Sequence, residues 1–391
     1  MSGDLHPHPR RGGSFWPILW AVLLLAGLAG WLASGLRWDQ WPRWAWQDGA
    51  WRALLVNFIY FTPLAAGMVV WPAVVMAARG QWAGSVSRVA LAGVGFAPVS
   101  ILALVGLWLG CSHWAPWASE PNLPNAAWLN APFLFARDLA ALAIFWALAI
   151  RFVRHAGRGK CTKLAAWLVL IYCLVFSLIA FDVVMALDPH WFSTLFGGYY
   201  FVSGMYTAVA AWTLAALASR DGTDYRRRHD LGKLIVTFSL LTTYMMFSQL
   251  IVIWYENLPH EARFVIPRMR VEKYGWVSAA LLAAIYLGPL VLLLTRRAKR
   301  SPWFLGLVSI VVLAGMWVER WWLVTPTLRG GRPWQGAEMM QETLAQLSMA
   351  AAFLGATALA IWTLYRKLPA VPFAAAEGEA AAGPAKEAGA K

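Results

Sequence analysis

Five ionisable residues, Arg137, Asp138, Asp182, Glu319 and Arg320, fall inside apolar stretches long enough to cross a lipid bilayer. A charge in hydrocarbon is costly and persists where it is paired, hydrated or used. A carboxylate beside a fixed arginine stays ionised more readily, which sets when it accepts a proton. The chemistry these residues offer is proton exchange. The alternative is structural: the charges pair with one another, or Arg137 and Arg320 snorkel outward and hold helices together. Both can hold at once, with Arg137 and Glu319 as a pair and Asp182 as the titrating member.

The elements that position these groups follow from composition. Of 391 residues, 60% are hydrophobic and only 13% charged, which fits a protein dissolved in lipid and not in water. A span needs about 20 mainly apolar residues. Ten segments qualify: 15–36, 54–77, 89–110, 132–153, 164–187, 195–218, 234–256, 276–295, 303–325 and 342–365. The expected fold is an all-α integral membrane protein with a ten-span domain over 15–365, an N-terminal segment 1–14 and a low-complexity tail 366–391. Arg10 and Arg11 precede a first apolar run of about span length, without a clear cleavage site, so the first span reads as retained and not as a cleaved signal. Most of the 26 tryptophans lie near span ends, the pattern of an interfacial aromatic belt, and residues 37–52 read as a surface helix or loop.

Net charge of +14 invites a nucleic-acid reading, but the basic residues alternate by loop. Connections on one side of a ten-span layout hold twenty Lys and Arg before the tail, and those on the other side hold nine. The positive-inside rule then places both termini in the cytoplasm. In that orientation Arg137 and Asp138 lie five to six residues below the outer surface, roughly 8 to 9 Å at 1.5 Å per residue. Asp182 and Glu319 precede the outer ends of the fifth and ninth spans by a similar margin. Three helices thus contribute carboxylates to one layer.

The inner half of the membrane offers hydroxyls and amides: Thr243, Tyr244, Ser248 and Gln249 on the seventh span and Tyr172 on the fifth. Such groups commonly bond to nearby backbone carbonyls, and a hydrated file of them could also carry protons toward Asp182.

Missing ligands narrow the chemistry further. All seven histidines fall in or beside expected loops, which argues against a bis-histidine haem in the membrane. The three cysteines, Cys111, Cys161 and Cys173, form no C-x-x-C or C-x-x-C-H, and no P-loop motif occurs. No metal site is expected.

A weak internal echo relates the second span, with Tyr60 and Phe61 leading to Ala66 and Gly67, to the sixth, with Tyr200 and Phe201 leading to Ser203 and Gly204. Asp182 and Glu319 keep the same four-span offset. The pattern suggests two parallel-related four-helix bundles, spans two to five and six to nine, plus flanking helices 1 and 10.

The run Asp182 to Tyr200, DVVMALDPHWFSTLFGGYY, together with Phe247, Ser248 and Gln249 and the stretch Ile253 to Pro259, resembles the NrfD-like (polysulfide reductase membrane-subunit) superfamily. Within it the motifs are most similar to the ActF subunit of bacterial alternative complex III. That resemblance implies a multi-pass subunit of a quinol:cytochrome c oxidoreductase in the bacterial cytoplasmic membrane. It implies as partners a homologous NrfD-like subunit, an iron–sulfur/molybdopterin-like subunit, and multihaem and monohaem cytochrome c subunits. Haem and iron–sulfur clusters would sit in those partners, quinol or quinone being the ligand this chain could meet. This subunit type is proposed to serve mainly in proton translocation. Relatives with a defined quinone pocket use polar residues including histidine near the outer surface. Here only His190 and His113 lie at that level, both in loops, which departs from that pattern, and the resemblance assigns the quinol site to the homologous NrfD-like subunit; the quinol-proximal candidates of this chain are His190 and Tyr199.

Asp188, followed by Pro189, suits the tight turn between spans five and six. The leading expectation is a structural and proton-conducting subunit of a quinol-oxidising complex, with Asp182, Asp138 and Glu319 exchanging protons and Arg137 and Arg320 tuning them. The alternatives are a stand-alone transporter or channel, and a purely structural membrane anchor.

Overall fold

In hydrocarbon every backbone N–H and C=O must find an internal partner, so an apolar chain of this length is driven into helices. The computed structural model describes residues 15–36, 48–80, 82–84, 86–120, 123, 125–157, 161–219, 223–270, 272–329 and 336–368. The terminal segments 1–14 and 369–391 lie outside the described residues. So do residues 37–47 of the expected surface segment, while from Asp48 the chain is already helical.

Ten helices among the described residues are long and apolar enough to span a membrane. They are span 1 (Phe15–Gly35), span 2 (Asp48–Ala77), span 3 (Ser87–Leu109), span 4 (Ala131–Ala156), span 5 (Thr162–Leu187), span 6 (Phe196–Ala218), span 7 (Tyr225–Glu256), span 8 (Tyr274–Leu292), span 9 (Pro302–Arg329) and span 10 (Glu338–Tyr365). Several overrun their apolar stretches. Span 7 starts at Tyr225 because Asp224 caps it, its carboxylate accepting the Arg227 N–H at 2.8 Å. Hydropathy ends where basic side chains begin, but backbone hydrogen bonding continues through them.

Span 2 is the axis, buried along its whole apolar window. It packs on spans 3, 5, 6, 9 and 10, and span 6 packs on spans 2, 5, 7 and 9. Spans 1 and 10 run along each other and against span 2. The crossing of spans 2 and 6 requires glycine twice. A β-carbon at Gly67 would sit 2.6 Å from that of Ala208, and one at Gly204 would sit 2.9 Å from that of Pro63. Small residues at such crossings let backbones approach, which is how membrane helices gain packing energy.

Three of the prolines inside the spans have a common consequence. Proline cannot donate to the carbonyl four residues back, and in lipid that carbonyl needs another partner. Pro63 leaves Ile59 O, which accepts the Tyr200 hydroxyl at 2.9 Å. Pro289 leaves Ile285 O, which accepts the Tyr206 hydroxyl at 2.8 Å. Pro326 leaves Trp322 O, which accepts Arg268 Nε at 3.1 Å. Each break in a helix thereby pins a polar side chain of a neighbouring element.

The aromatic-belt reading needs correction for some tryptophans. Trp71 and Trp212, near span ends, are buried, and their indole N–H groups donate to Met205 O at 3.0 Å and Val86 O at 2.8 Å. Their position in sequence matches a belt, but both rings face the interior of the bundle.

Candidate functional site

The carboxylates gather into two clusters near the end of the molecule that carries the connections 110–131, 188–195 and 257–273. In the first, span 4 supplies Arg137 and Asp138, and span 5 supplies Asp182. Arg137 Nη2 lies 2.5 Å from Asp182 Oδ2. Trp128 Nε1 donates to Asp182 Oδ1 at 2.8 Å, and its ring lies under the Arg137 guanidinium at 3.8 Å. Asp182 sits in a single π-helical turn, Ala180–Val184, inserted before a final 3-10 turn. Such widened turns recur at functional sites because they release a side chain from helical register.

Asp138 is fully buried; no N–H or hydroxyl among the described residues donates to its oxygens, and the hydrogen bond open to it is a proton shared with Asp182. Its charged neighbours are Asp182 and Arg137. Two carboxylates therefore face one guanidinium in a low-dielectric site. That set balances its charge only when it holds one proton.

In the second cluster Glu319 and Arg320, adjacent on span 9, are both buried. Glu319 Oε1 accepts a short hydrogen bond from the Tyr199 hydroxyl, and Oε2 accepts Arg320 Nη1 at 2.8 Å. The Tyr199 hydroxyl lies 2.8 Å from that of Tyr286, and Arg320 Nη2 donates to Ser203 Oγ at 2.6 Å. A second guanidinium, that of Arg268, acts on Glu319 from the connection between spans 7 and 8. Arg268 is held by Trp322 O, Phe264 O, Leu323 O and Thr327 Oγ1, with the Phe264 ring 3.5 Å from its guanidinium carbon. Burial pushes Arg268 down to about 9, opposed by Asp188, Glu319 and Tyr274, so it keeps its charge at neutral pH. One carboxylate thus faces two guanidiniums, the reverse of the first cluster.

The second cluster borders a cavity of about 500 Å³ among spans 6 to 9. Phe196, Met246, Leu250 and Leu282 contribute apolar walls, and Glu319, Tyr199, Tyr286, Arg268 and Gln249 bring polar atoms to it. An apolar pocket with a few convergent polar groups is the usual form of a small-molecule site.

Against the sequence expectations, Arg137 pairs with Asp182 and not with Glu319. Spans 4 and 5 are packed neighbours, whereas Glu319 lies beside Arg320 and span 6. Tyr199 reaches the cavity. His190 does not: it is on the surface, 2.9 Å from Glu120. Asp188 takes the turn role, bonded to Arg263 at 2.8 Å and to the His190 N–H at 3.3 Å.

The inner-half residues do not form one file. Tyr244 is 64% exposed, facing away from the interior. Thr243 donates to Ser239 O at 2.7 Å, and Tyr172 reaches Phe201 O at 3.3 Å beside the crossing of spans 2 and 6. Thr243 and Gln249 line the cavity, and Ser248, half-buried, does not.

Sequence reasoning missed Tyr286, Arg268 and Trp128. For Arg268 a signal existed in Pro326, whose freed carbonyl marks where a polar side chain must arrive; for Tyr286 and Trp128 none did. No family model matches this chain, and no curated protein matches it in sequence.

Proposed function

We propose that this chain is a multi-pass subunit of a quinol-oxidising complex in the bacterial cytoplasmic membrane, serving as scaffold and as the outer part of a proton path. Both termini face the cytoplasm in this reading, and spans 2–5 and 6–9 form two parallel-related bundles. The observation that carries it is the acid excess at Asp138, Asp182 and Arg137: a buried set that is balanced only with one proton aboard is a place where a proton can rest and leave. The charge count divides the roles. Asp138 and Asp182 exchange protons, whereas at Glu319 the fixed positive charge of Arg320 and Arg268 outnumbers the single carboxylate.

The cavity suits a quinol head: it is apolar, of small-molecule size, and has Glu319, Tyr199 and Tyr286 in its lining. A bound quinol would supply two protons and two electrons, the electrons passing to a haem or iron–sulfur cluster held by a partner subunit. Within this chain, Glu319 and the Tyr199–Tyr286 pair accept and orient hydrogen bonds, and Arg268 fixes the local positive charge. The family and partner assignments rest on the motifs from Asp182 to Tyr200 and from Phe247 to Pro259 alone.

The test is native purification followed by substitution. Co-isolation with a multihaem cytochrome and an iron–sulfur subunit is expected. Asp138→Asn and Asp182→Asn, in complexes of unchanged haem content, should each lower membrane-potential generation in proteoliposomes at least tenfold. Unchanged turnover and potential in both variants would reject the proton role. A chain that isolates alone and moves solute by itself would reject the complex assignment in favour of a transporter.

A further inference from the structure

A second, longer groove runs along the side of the molecule between spans 1, 2, 6, 9 and 10, with a volume of about 1360 Å³. It is separate from the carboxylate clusters and the cavity. Along span 10 its lining extends from Ala350 to Arg366, which at 1.5 Å per residue is about 24 Å. That exceeds one leaflet's half of the roughly 30 Å hydrocarbon core. Leu64, Met68, Leu313 and Leu354 give it an apolar floor and rim. In a bilayer such a groove is filled by apolar matter.

Its charge is confined to one end. Arg88, at the start of span 3, and Arg366, after span 10, both line it there, and no carboxylate is present among the described lining residues. The Arg88 guanidinium lies 4.6 Å from the Tyr365 ring, and that of Arg366 lies 4.0 Å from the Trp362 ring, one helical turn away. Ring contacts of this kind hold a guanidinium in place while leaving its charge intact. Two fixed positive charges at the mouth of an acyl-length groove match one chemistry: a phosphate carrying long hydrocarbon chains.

We propose that the groove is a binding site for one anionic glycerophospholipid, its phosphate at Arg88 and Arg366 and its acyl chains along Leu64, Met68, Leu313 and Leu354. The lipid completes the packing of spans 1 and 10 against the rest of the molecule. A zwitterionic lipid fits the groove but adds a positive choline or ethanolamine beside two arginines, so it should bind more weakly.

The purified full chain, delipidated in neutral detergent, is titrated with phosphatidylglycerol or phosphatidylcholine of identical acyl chains and followed by native mass spectrometry. One phosphatidylglycerol per chain is expected, bound at least tenfold tighter than phosphatidylcholine and weakened by salt. In R88Q/R366Q the preference should vanish while phosphatidylcholine binding is unchanged. Because that pair could impair folding, Arg366→Gln alone, at an exposed position, provides the second variant and should lose at least threefold. Equal binding of the two lipids to the unaltered chain, no uptake of either, or undiminished preference in the arginine variants would overturn the proposal. A polypeptide seated in the groove of the native complex would overturn it as well.

Discussion

At the residue scale, the two aspartates of the first cluster are physically unlike. Asp182 accepts hydrogen bonds from Arg137 and Trp128, whereas Asp138 accepts none among the described residues. Asp182→Asn removes the carboxylate that the Arg137 guanidinium bonds, a charge-assisted hydrogen bond whose loss costs about 1.5–3 kcal/mol. Asp138→Asn exchanges one unsatisfied buried group for another and should cost less than about 1 kcal/mol. Thermal unfolding of both variants in detergent checks this ordering; equal losses would mean that Asp138 has a structural partner. A stable Asp138→Asn protein that still fails to generate potential would separate proton transfer from assembly.

At the element scale, proline and its side-chain partner act as a unit. Tyr200→Phe removes the donor to Ile59 O, which Pro63 has freed, and should destabilise the protein by about 1–3 kcal/mol. In a Pro63→Ala background the helix regains its own donor, so the same Tyr200→Phe change should cost measurably less. A double-mutant cycle on unfolding midpoints reads the difference, and additive losses would refute the coupling. The crossing of spans 2 and 6 has a sharper requirement. Gly67→Val places methyl groups where even a β-carbon would lie 2.6 Å from that of Ala208, and the expected result is loss of folded protein in detergent size-exclusion chromatography.

At the scale of the whole molecule, topology is the testable property. Cys111 is half-buried in the short helix Cys111–Trp114, at the end expected to face outward. Burial pushes its thiol up, so its thiolate fraction at neutral pH is below that of a free cysteine. A membrane-impermeant maleimide should therefore label it from outside, slowly near neutrality and faster as pH rises, and Cys111→Ser should abolish that signal. Labelling that appears only after the membrane is permeabilised would invert the orientation, and with it the side of the membrane on which the carboxylate layer lies.

What the sequence determined by itself is whatever depends on neighbours along the chain. Hydropathy over about 20 residues marks a span, so ten helices were legible, whereas the expected depth of Glu319 shifted because span 9 continues to Arg329, ten residues beyond it. Their ends were less legible, because a helix such as span 7 continues through charged residues once Asp224 caps it. Partnership was decided only in three dimensions. Arg137 meets Asp182 because spans 4 and 5 are adjacent, and Arg268 reaches the Glu319 cluster from a connection between spans because Pro326 leaves a carbonyl there for it to bind. The cavity at Glu319 and the exclusion of His190 from it have the same origin: backbone hydrogen bonding and hydropathy are local along the chain, whereas packing and charge pairing act through space.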